Sequence, residues 1–188
     1  MAAESTLPAH LARRSEKALA KTSSDAELVV RARGGNRVAF SELYERYHRL
    51  VHGALVARVP LGEVDDLAQD VFLTAMRRLH TLRDEDAVGG WLLAIARNRA
   101  ATFYRRRKDT TELPDDLAAQ PPPSAEAAQV LATIRKLPDA YRETLAMRLI
   151  EGMTGPEIAE QTGLTPGSVR VNLHRGMKQL RELLEDRQ

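Results

Sequence analysis

Two stretches of basic side chains are the part of this sequence best suited to binding chemistry. Residues 97–108 contain six basic residues and no acid, and no acid occurs between Thr165 and Arg181. Arginine and lysine bind phosphate groups, and neighbouring aromatic or amide side chains can contact unpaired bases. Both stretches therefore predict contact with nucleic acid. The alternative for each is a basic helix face that is only exposed to solvent.

The first basic stretch falls on a predicted helix from about residue 90 to residue 108. The single tryptophan of the chain, Trp91, lies near the start of this helix. Leu92, Ile95 and Phe103 follow helical spacing and are expected core contacts. The candidate nucleic-acid contacts on this helix are Trp91, Arg97, Asn98, Arg99, Arg105 and Arg106.

The second basic stretch follows two closely spaced helix starts. Thr154 and Glu157 form a capping box, and Thr165 suits the N-cap of the next helix. Gly163 lies between them, where a left-handed residue would end the first helix. A short helix pair with a basic second helix is typical of a helix-turn-helix that reads duplex DNA. The residues expected to be buried between the two helices are Ile158, Leu164, Val169 and Leu173.

A different surface is predicted on the helix that precedes the first basic stretch. Its apolar positions run from Val64 to Leu79 at helical spacing. On its other side Asp66, Gln69 and Asp70 share one face with an exposed leucine, Leu73. An isolated solvated face usually mixes acids with lysines, so this combination favours a protein-binding surface.

No constellation in the sequence predicts catalysis, because it has no glycine-rich phosphate loop, nucleophile elbow or metal-ligand cluster. His48 and His52 lie four residues apart, but no further ligand stands beside them in the sequence, so ordinary histidines are the favoured interpretation. The absence of cysteine excludes disulfides and thiolate metal sites. We predict no catalytic residue, no metal, no cofactor and no small-molecule substrate.

Composition and hydropathy place the chain among cytoplasmic helical proteins. The 188 residues are 43% hydrophobic, and neither a membrane-spanning run nor a signal-peptide core is evident. We predict an all-α fold of two small helical domains, at residues 25–108 and 125–188. The acidic, proline-rich residues 109–124 would form a flexible linker. Residues 1–24 would form a disordered tail.

Three motifs, in this order, resemble the extracytoplasmic-function sigma factors of bacterial RNA polymerase. The first is DDLAQDVF at residues 65–72. The second is WLLAIARN at residues 91–98 with the basic run that follows it, and the third is the helix-turn-helix with its preceding Leu137-Pro138. The resemblance covers about residues 25–184. It implies a sigma2-like helical bundle and a sigma4-like helix-turn-helix domain.

The resemblance also implies roles for the predicted surfaces. The residues that would dock on the β′ clamp of core RNA polymerase are Asp65, Asp66, Gln69, Asp70 and Leu73. The basic helix from Trp91 would hold the melted downstream (−10) promoter element, with a flipped base received by residues 81–90. The residues that would read the upstream (−35) element are Ser168, Arg170, Val171, Asn172, His174, Arg175 and Lys178. The β flap and an anti-sigma factor, which could sequester the protein at the membrane, would be further partners.

Some positions depart from the family pattern. Gly89 and Gly90 stand where a bulkier pair is common, Thr102 replaces a frequent aspartate, and Val171 and Gly176 replace a small polar residue and an alanine. These departures concern promoter preference more than the class of protein. Two rival functions are a conventional helix-turn-helix regulator, which would leave half the chain unexplained, and a sigma-like protein that titrates polymerase without initiating.

Overall fold

The computed structural model describes residues 23–109 and 125–186. This part of the chain forms eight α-helices and no strand, which confirms the all-α prediction. The helices are α1 (Asp25–Arg33), α2 (Arg37–Val56), α3 (Val64–Arg78), α4 (Val88–Asp109), α5 (Ala125–Ile134), α6 (Asp139–Leu149), α7 (Gly155–Thr162) and α8 (Pro166–Glu185). None of these helices is long and apolar enough to cross a membrane. The predicted tail and linker lie almost wholly outside the described residues. Only residues 23 and 24 of the tail and residue 109 of the linker are described.

The helix ends follow from local side-chain chemistry. The capping box of Ser24 and Glu27 starts α1, and the Asn36 side chain accepts a hydrogen bond from the Ala39 amide at the start of α2. Asparagine and serine satisfy amides that a helix leaves without intrahelical partners. The chain turns between α1 and α2 at the pair Gly34 and Gly35, where Gly35 has a positive φ of 86°.

The first helical domain is organised around α2, which packs against α1, α3 and α4. Its core contains fully buried side chains from each helix, such as Leu28, Leu50, Val71 and Ala96. The segment at residues 81–90, which would receive a flipped base, is partly helical. It buries Leu82 and contains a short 3-10 turn at Glu85–Ala87, and α4 begins two residues before the predicted start.

The second domain contains the predicted helix-turn-helix. Thr154 and Glu157 form both hydrogen bonds of the capping box, Gly163 is left-handed at φ 73°, and Thr165 caps α8. Ile158 and Val169 are buried, whereas the prediction for Leu164 is wrong because its side chain is 41% exposed. This leucine lies in the turn itself, between the left-handed glycine and the N-cap.

The two domains pack directly against each other. Residues of α6, α7 and α8, including Met147, Met153 and Ile158, belong to the same buried apolar cluster as the core of the first domain. The acidic, proline-rich linker predicted two domains joined only by a flexible segment. In the structure, however, α2 and α4 of the first domain contact α6 and α7 of the second.

Candidate nucleic-acid and protein interfaces

The predicted protein-binding face lies on the outer side of α3. Asp65, Asp66, Gln69 and Asp70 are all exposed, and Leu73 is 40% exposed. Exposure at three- and four-residue spacing arises because the opposite side of α3 buries Ala68, Val71, Phe72 and Ala75. The structure therefore brings the five predicted residues onto one surface.

A groove of about 590 Å³, with both polar and apolar walls, lies along this acidic face between α2 and α3. Its aromatic wall consists of Tyr44 and Phe72, whose ring centroids are 4.6 Å apart. Met76 extends the groove and is 54% exposed, and Tyr44 is 41% exposed. An exposed groove that combines an aromatic wall with an acidic rim is the arrangement expected of a protein-binding surface. The sequence pattern located the rim but not Tyr44 or Met76, which looked like core positions.

Part of the predicted nucleic-acid surface of α4 is exposed. Asn98, Arg105 and Arg106 are exposed, and Trp91 is partly buried against the core. Arg105 donates to the Thr102 hydroxyl at 3.0 Å, and Arg99 donates to the Thr74 hydroxyl of α3. These two arginines are oriented by neutral hydroxyl groups, so their charge is still available to a phosphate.

Arg97 is placed differently, because a carboxylate of the second domain holds it. Its Nε donates to Glu143 Oε1 at 2.9 Å and its Nη2 donates to Glu143 Oε2 at 2.7 Å. These hydrogen bonds raise the pKa of the Arg97 guanidinium. Arg97 is thus paired within the chain at the position where a nucleic acid was predicted to bind.

The predicted DNA-reading face of α8 is open to solvent. Arg170, Val171, His174, Arg175 and Lys178 are exposed and lie on one side of the helix, and Asn172 is half-buried at its edge. The opposite side is held by Val169, Gly176 and Leu180, which are buried. Ser168 is exposed, and its amide and hydroxyl both contact the Thr165 hydroxyl. Its side chain therefore takes part in the helix cap.

The two helical histidines contact each other and an acid of the second domain. The His48 and His52 rings are stacked with centroids 5.7 Å apart, and His52 Nδ1 lies 2.6 Å from Glu151 Oε1. That hydrogen bond raises the pKa of His52, burial opposes the shift, and the nearby Asp65 adds to it. No group of three or more metal-ligating side chains occurs in the part of the chain that the structure describes.

Several residues at the contact between the domains were not singled out in the sequence. Arg58 donates to Glu143 and to Asp139 Oδ2, while Arg135 donates to the carbonyl oxygens of Val56 and Val59. These partners are separated by 76 to 85 residues, so no local pattern could pair them. In the sequence, Glu143 is one of four charged residues of α6, and no local pattern distinguishes it from the other three.

Two family models match the chain, one in each helical domain. The model for Sigma-70 region 2 matches residues 43–110, and the model for Sigma-70, region 4 matches residues 127–180. The sigma factor SigZ of Bacillus subtilis is 32% identical over 77% of this chain and 86% of its own length. The ECF sigma-E factor of Haemophilus influenzae is 29% identical over 90% of this chain and 97% of its own.

Comparison with solved structures gives the same class. CnrH, in complex with the cytosolic domain of CnrY, is 29% identical with a TM-score of 0.58, covering 87% of this chain and 99% of that one. The relatives and the two regional matches agree with the two-part helical architecture. The chain belongs to the extracytoplasmic-function sigma factors of bacterial RNA polymerase, the initiation factors that direct the polymerase to specific promoters.

Proposed function

We propose that residues 25–108 dock on core polymerase through the acidic face of α3 and hold the melted downstream promoter element on α4. The observation that carries this division of labour is that α3 and α4 expose surfaces of opposite charge. Asp66, Gln69 and Asp70 lie on one, while Arg105 and Arg106 lie on the other. A protein partner and a phosphate backbone can therefore bind the same small domain without competing.

Residues 125–188 read the upstream promoter element through α8. Arg170, His174 and Arg175 are directed to base edges, Val171 supplies an apolar contact that suits a thymine methyl group, and Lys178 is directed to phosphate. The exposed face of α8 and the buried opposite side support this placement. A helix N-terminus with Thr165 and Ser168 facing out can also receive a phosphate oxygen.

The protein acts without chemistry of its own on a small molecule. It carries no catalytic residue and needs no cofactor, because strand opening is driven by binding energy shared with the polymerase. An anti-sigma factor is a further partner of this proposal, supported by the relative CnrH, which was solved with the cytosolic domain of CnrY bound.

In vitro transcription with purified core polymerase tests the proposal. Promoters selected in the presence of this protein should give transcripts with a single defined start, and core enzyme alone should give none. A conventional helix-turn-helix regulator would bind a duplex without polymerase and would not start transcription from it. A titrating protein would reduce transcription by another sigma factor and give no transcript of its own. Either result would overturn the proposed roles.

A further inference from the structure

The last residue of α1, Arg33, binds the α3–α4 segment, which is residues 79–87, at three acceptors. Its Nε donates to the Leu79 carbonyl oxygen at 3.0 Å. Its Nη2 donates to the Leu82 carbonyl oxygen, and its Nη1 pairs with the Glu85 carboxylate. A guanidinium carries its donors in a rigid planar fork, so it can hold several acceptors in one geometry. One side chain of α1 therefore fixes the path of the chain between two other helices.

Arg33 acts beside two apolar anchors of the same segment. Leu79 and Leu82 are buried and belong to the core of the first domain. The Leu79 carbonyl lies at the C-terminal end of α3, where carbonyl oxygens lack intrahelical donors and attract a cation. The leucine side chains hold the inner side of the segment, and the guanidinium holds its backbone. Both kinds of contact are needed to fix the segment, because buried side chains alone leave these carbonyl oxygens without the arginine donors.

The α3–α4 segment also carries exposed polar side chains. Four of them are His80, Thr81, Arg83 and Asp84. The Asp84 carboxylate caps the 3-10 turn that follows it, and α4 begins at the next residue after that turn. The segment therefore presents hydrogen-bonding groups directly before the basic helix, on a backbone that Arg33 holds in place.

We propose that Arg33 is a positioning residue for base recognition, which holds the α3–α4 segment in the shape that receives a flipped base of the downstream element. This inference rests on the proposed function, in which α4 holds that element. Arg33 is directed away from the base, because its side chain is only 25% exposed and its donors are bound to Leu79, Leu82 and Glu85. Its effect on base preference is exerted through the backbone that it holds.

The arrangement suits preorganisation more than overall stability. Discrimination between bases requires donors and acceptors that are fixed within about 0.5 Å of the productive geometry. A segment that is already ordered in the free protein does not have to be ordered when the base arrives, so less binding free energy is lost. The ion pair with Glu85 is partly exposed, and such pairs contribute little to global stability. Loss of Arg33 should therefore loosen the α3–α4 segment and leave the domain folded.

Two substitutions of Arg33 separate its geometry from its charge. Arg33→Lys keeps a positive charge near Glu85 but replaces the planar fork with one nitrogen, which cannot bind all three acceptors in the same way. Arg33→Gln removes the charge as well. The matched controls are Arg31→Lys and Arg31→Gln, which make the same changes at an exposed position two residues earlier on α1. Both Arg33 variants should behave alike, because the fork is absent from each.

Amide hydrogen exchange in the free full-length chain tests the tether without polymerase or DNA. The Leu82 amide donates to the Leu79 carbonyl at 3.3 Å, and the Ala87 amide donates to the Asp84 carbonyl at 3.1 Å. Exchange at these amides should be faster in Arg33→Lys than in Arg31→Lys, whereas the amides of α2 should exchange at unchanged rates. Equal exchange across the α3–α4 segment in the two variants would overturn the proposal.

Transcription by the reconstituted holoenzyme from a library randomised in the downstream element tests the effect on base preference. Arg33→Lys should reduce the preference at one base by on the order of tenfold, which is the discrimination that one well-placed base contact contributes. Preferences in the upstream element and affinity for core polymerase should match those of Arg31→Lys. An equal loss of transcript from every library member would show a purely structural role and would overturn the proposal.

Failure of the proposed function would give a different pattern. The wild-type protein would then give no specific transcript, which would remove the base-recognition role of Arg33 together with the proposed promoter roles. Faster exchange in Arg33→Lys would still establish that Arg33 holds the α3–α4 segment. The two measurements therefore distinguish a wrong tether from a wrong function.

Discussion

The guanidinium of Arg97 and the carboxylate of Glu143 form a two-pronged ion pair that joins α4 of the first domain to α6 of the second. Burial would raise the pKa of Glu143, but the hydrogen bonds from Arg97 and Arg58 outweigh it and lower the pKa. The carboxylate is therefore charged throughout the neutral range. Glu143 of the second domain therefore binds Arg97, a predicted DNA contact of the first domain.

Asp70→Arg should weaken binding to core polymerase, because it inverts a charge at the centre of the exposed acidic face of α3. Rim charges act mainly on the association rate, so the loss should be greatest at low salt. Stopped-flow association of labelled protein with core enzyme measures it. Asp86→Arg is the control, since it places the same reversal at an exposed position off α3. Equal rates for the two variants would remove Asp70 from the docking surface.

Arg175→Ala and Lys178→Ala should separate base reading from phosphate binding on α8. Loss of a bidentate contact between arginine and guanine costs about 1–3 kcal/mol and relaxes preference at one base pair. Loss of a lysine that contacts phosphate weakens binding to all sequences and lowers the salt slope by about one. Transcription by the reconstituted holoenzyme from a library randomised in the upstream element, repeated at several salt concentrations, distinguishes these effects. A uniform loss for Arg175→Ala would contradict its assignment to a base.

Local patterns predicted the helices and surfaces of single domains well. The capping boxes at Ser24 and Thr154, the left-handed Gly163 and the acidic face of α3 all depend on residues at most a few positions apart. The contact between the domains could not be predicted in this way. It joins residues 46 to 115 positions apart, and the linker composition suggested independent domains. Gly89 was visible as a departure from the family, but only the position of α7 explains it, because a Cβ at Gly89 would lie 1.9 Å from the Gln161 carbonyl oxygen.

Raising the pH above 6.5 should weaken the contact between the two domains. Hydrogen bonding to Glu151 raises the pKa of His52 above its ordinary value of 6.5. Protonated His52 therefore stabilises the contact between the domains fully below pH 6.5. This stabilisation is lost as the pH rises through the raised pKa that His52 has when the domains are in contact. The other groups near His52 are Asp65 at 3.7 Å and the stacked ring of His48. Because the sequence contains no cysteine, cysteines introduced at the exposed positions Ser41 and Ala132 can carry a donor and an acceptor dye, and energy transfer between them should fall as the pH rises.

His52→Gln provides the control for this dependence. Glutamine can still donate a hydrogen bond to Glu151 but cannot gain a proton, so energy transfer in this variant should be constant across the same range. The wild-type protein and His52→Gln share all the other histidines, so titration of those histidines affects both proteins equally. A wild-type curve that runs parallel to that of the variant would show that another group governs the response.

Two glycines of α8 should respond oppositely to alanine. At Gly167 an added Cβ would meet only the Thr165 hydroxyl, at 3.9 Å, so the gain in helix propensity should raise stability by about 0.5–1 kcal/mol. At Gly176 it would lie 3.0 Å from Leu145 Cδ1 and 3.2 Å from Tyr141 Cβ. Leu145 is fully buried, so the overpacking cost of about 1–3 kcal/mol should exceed the same gain. Urea unfolding midpoints measure both changes, and stabilisation by Gly176→Ala would mean that α6 can move away from α8 at little cost.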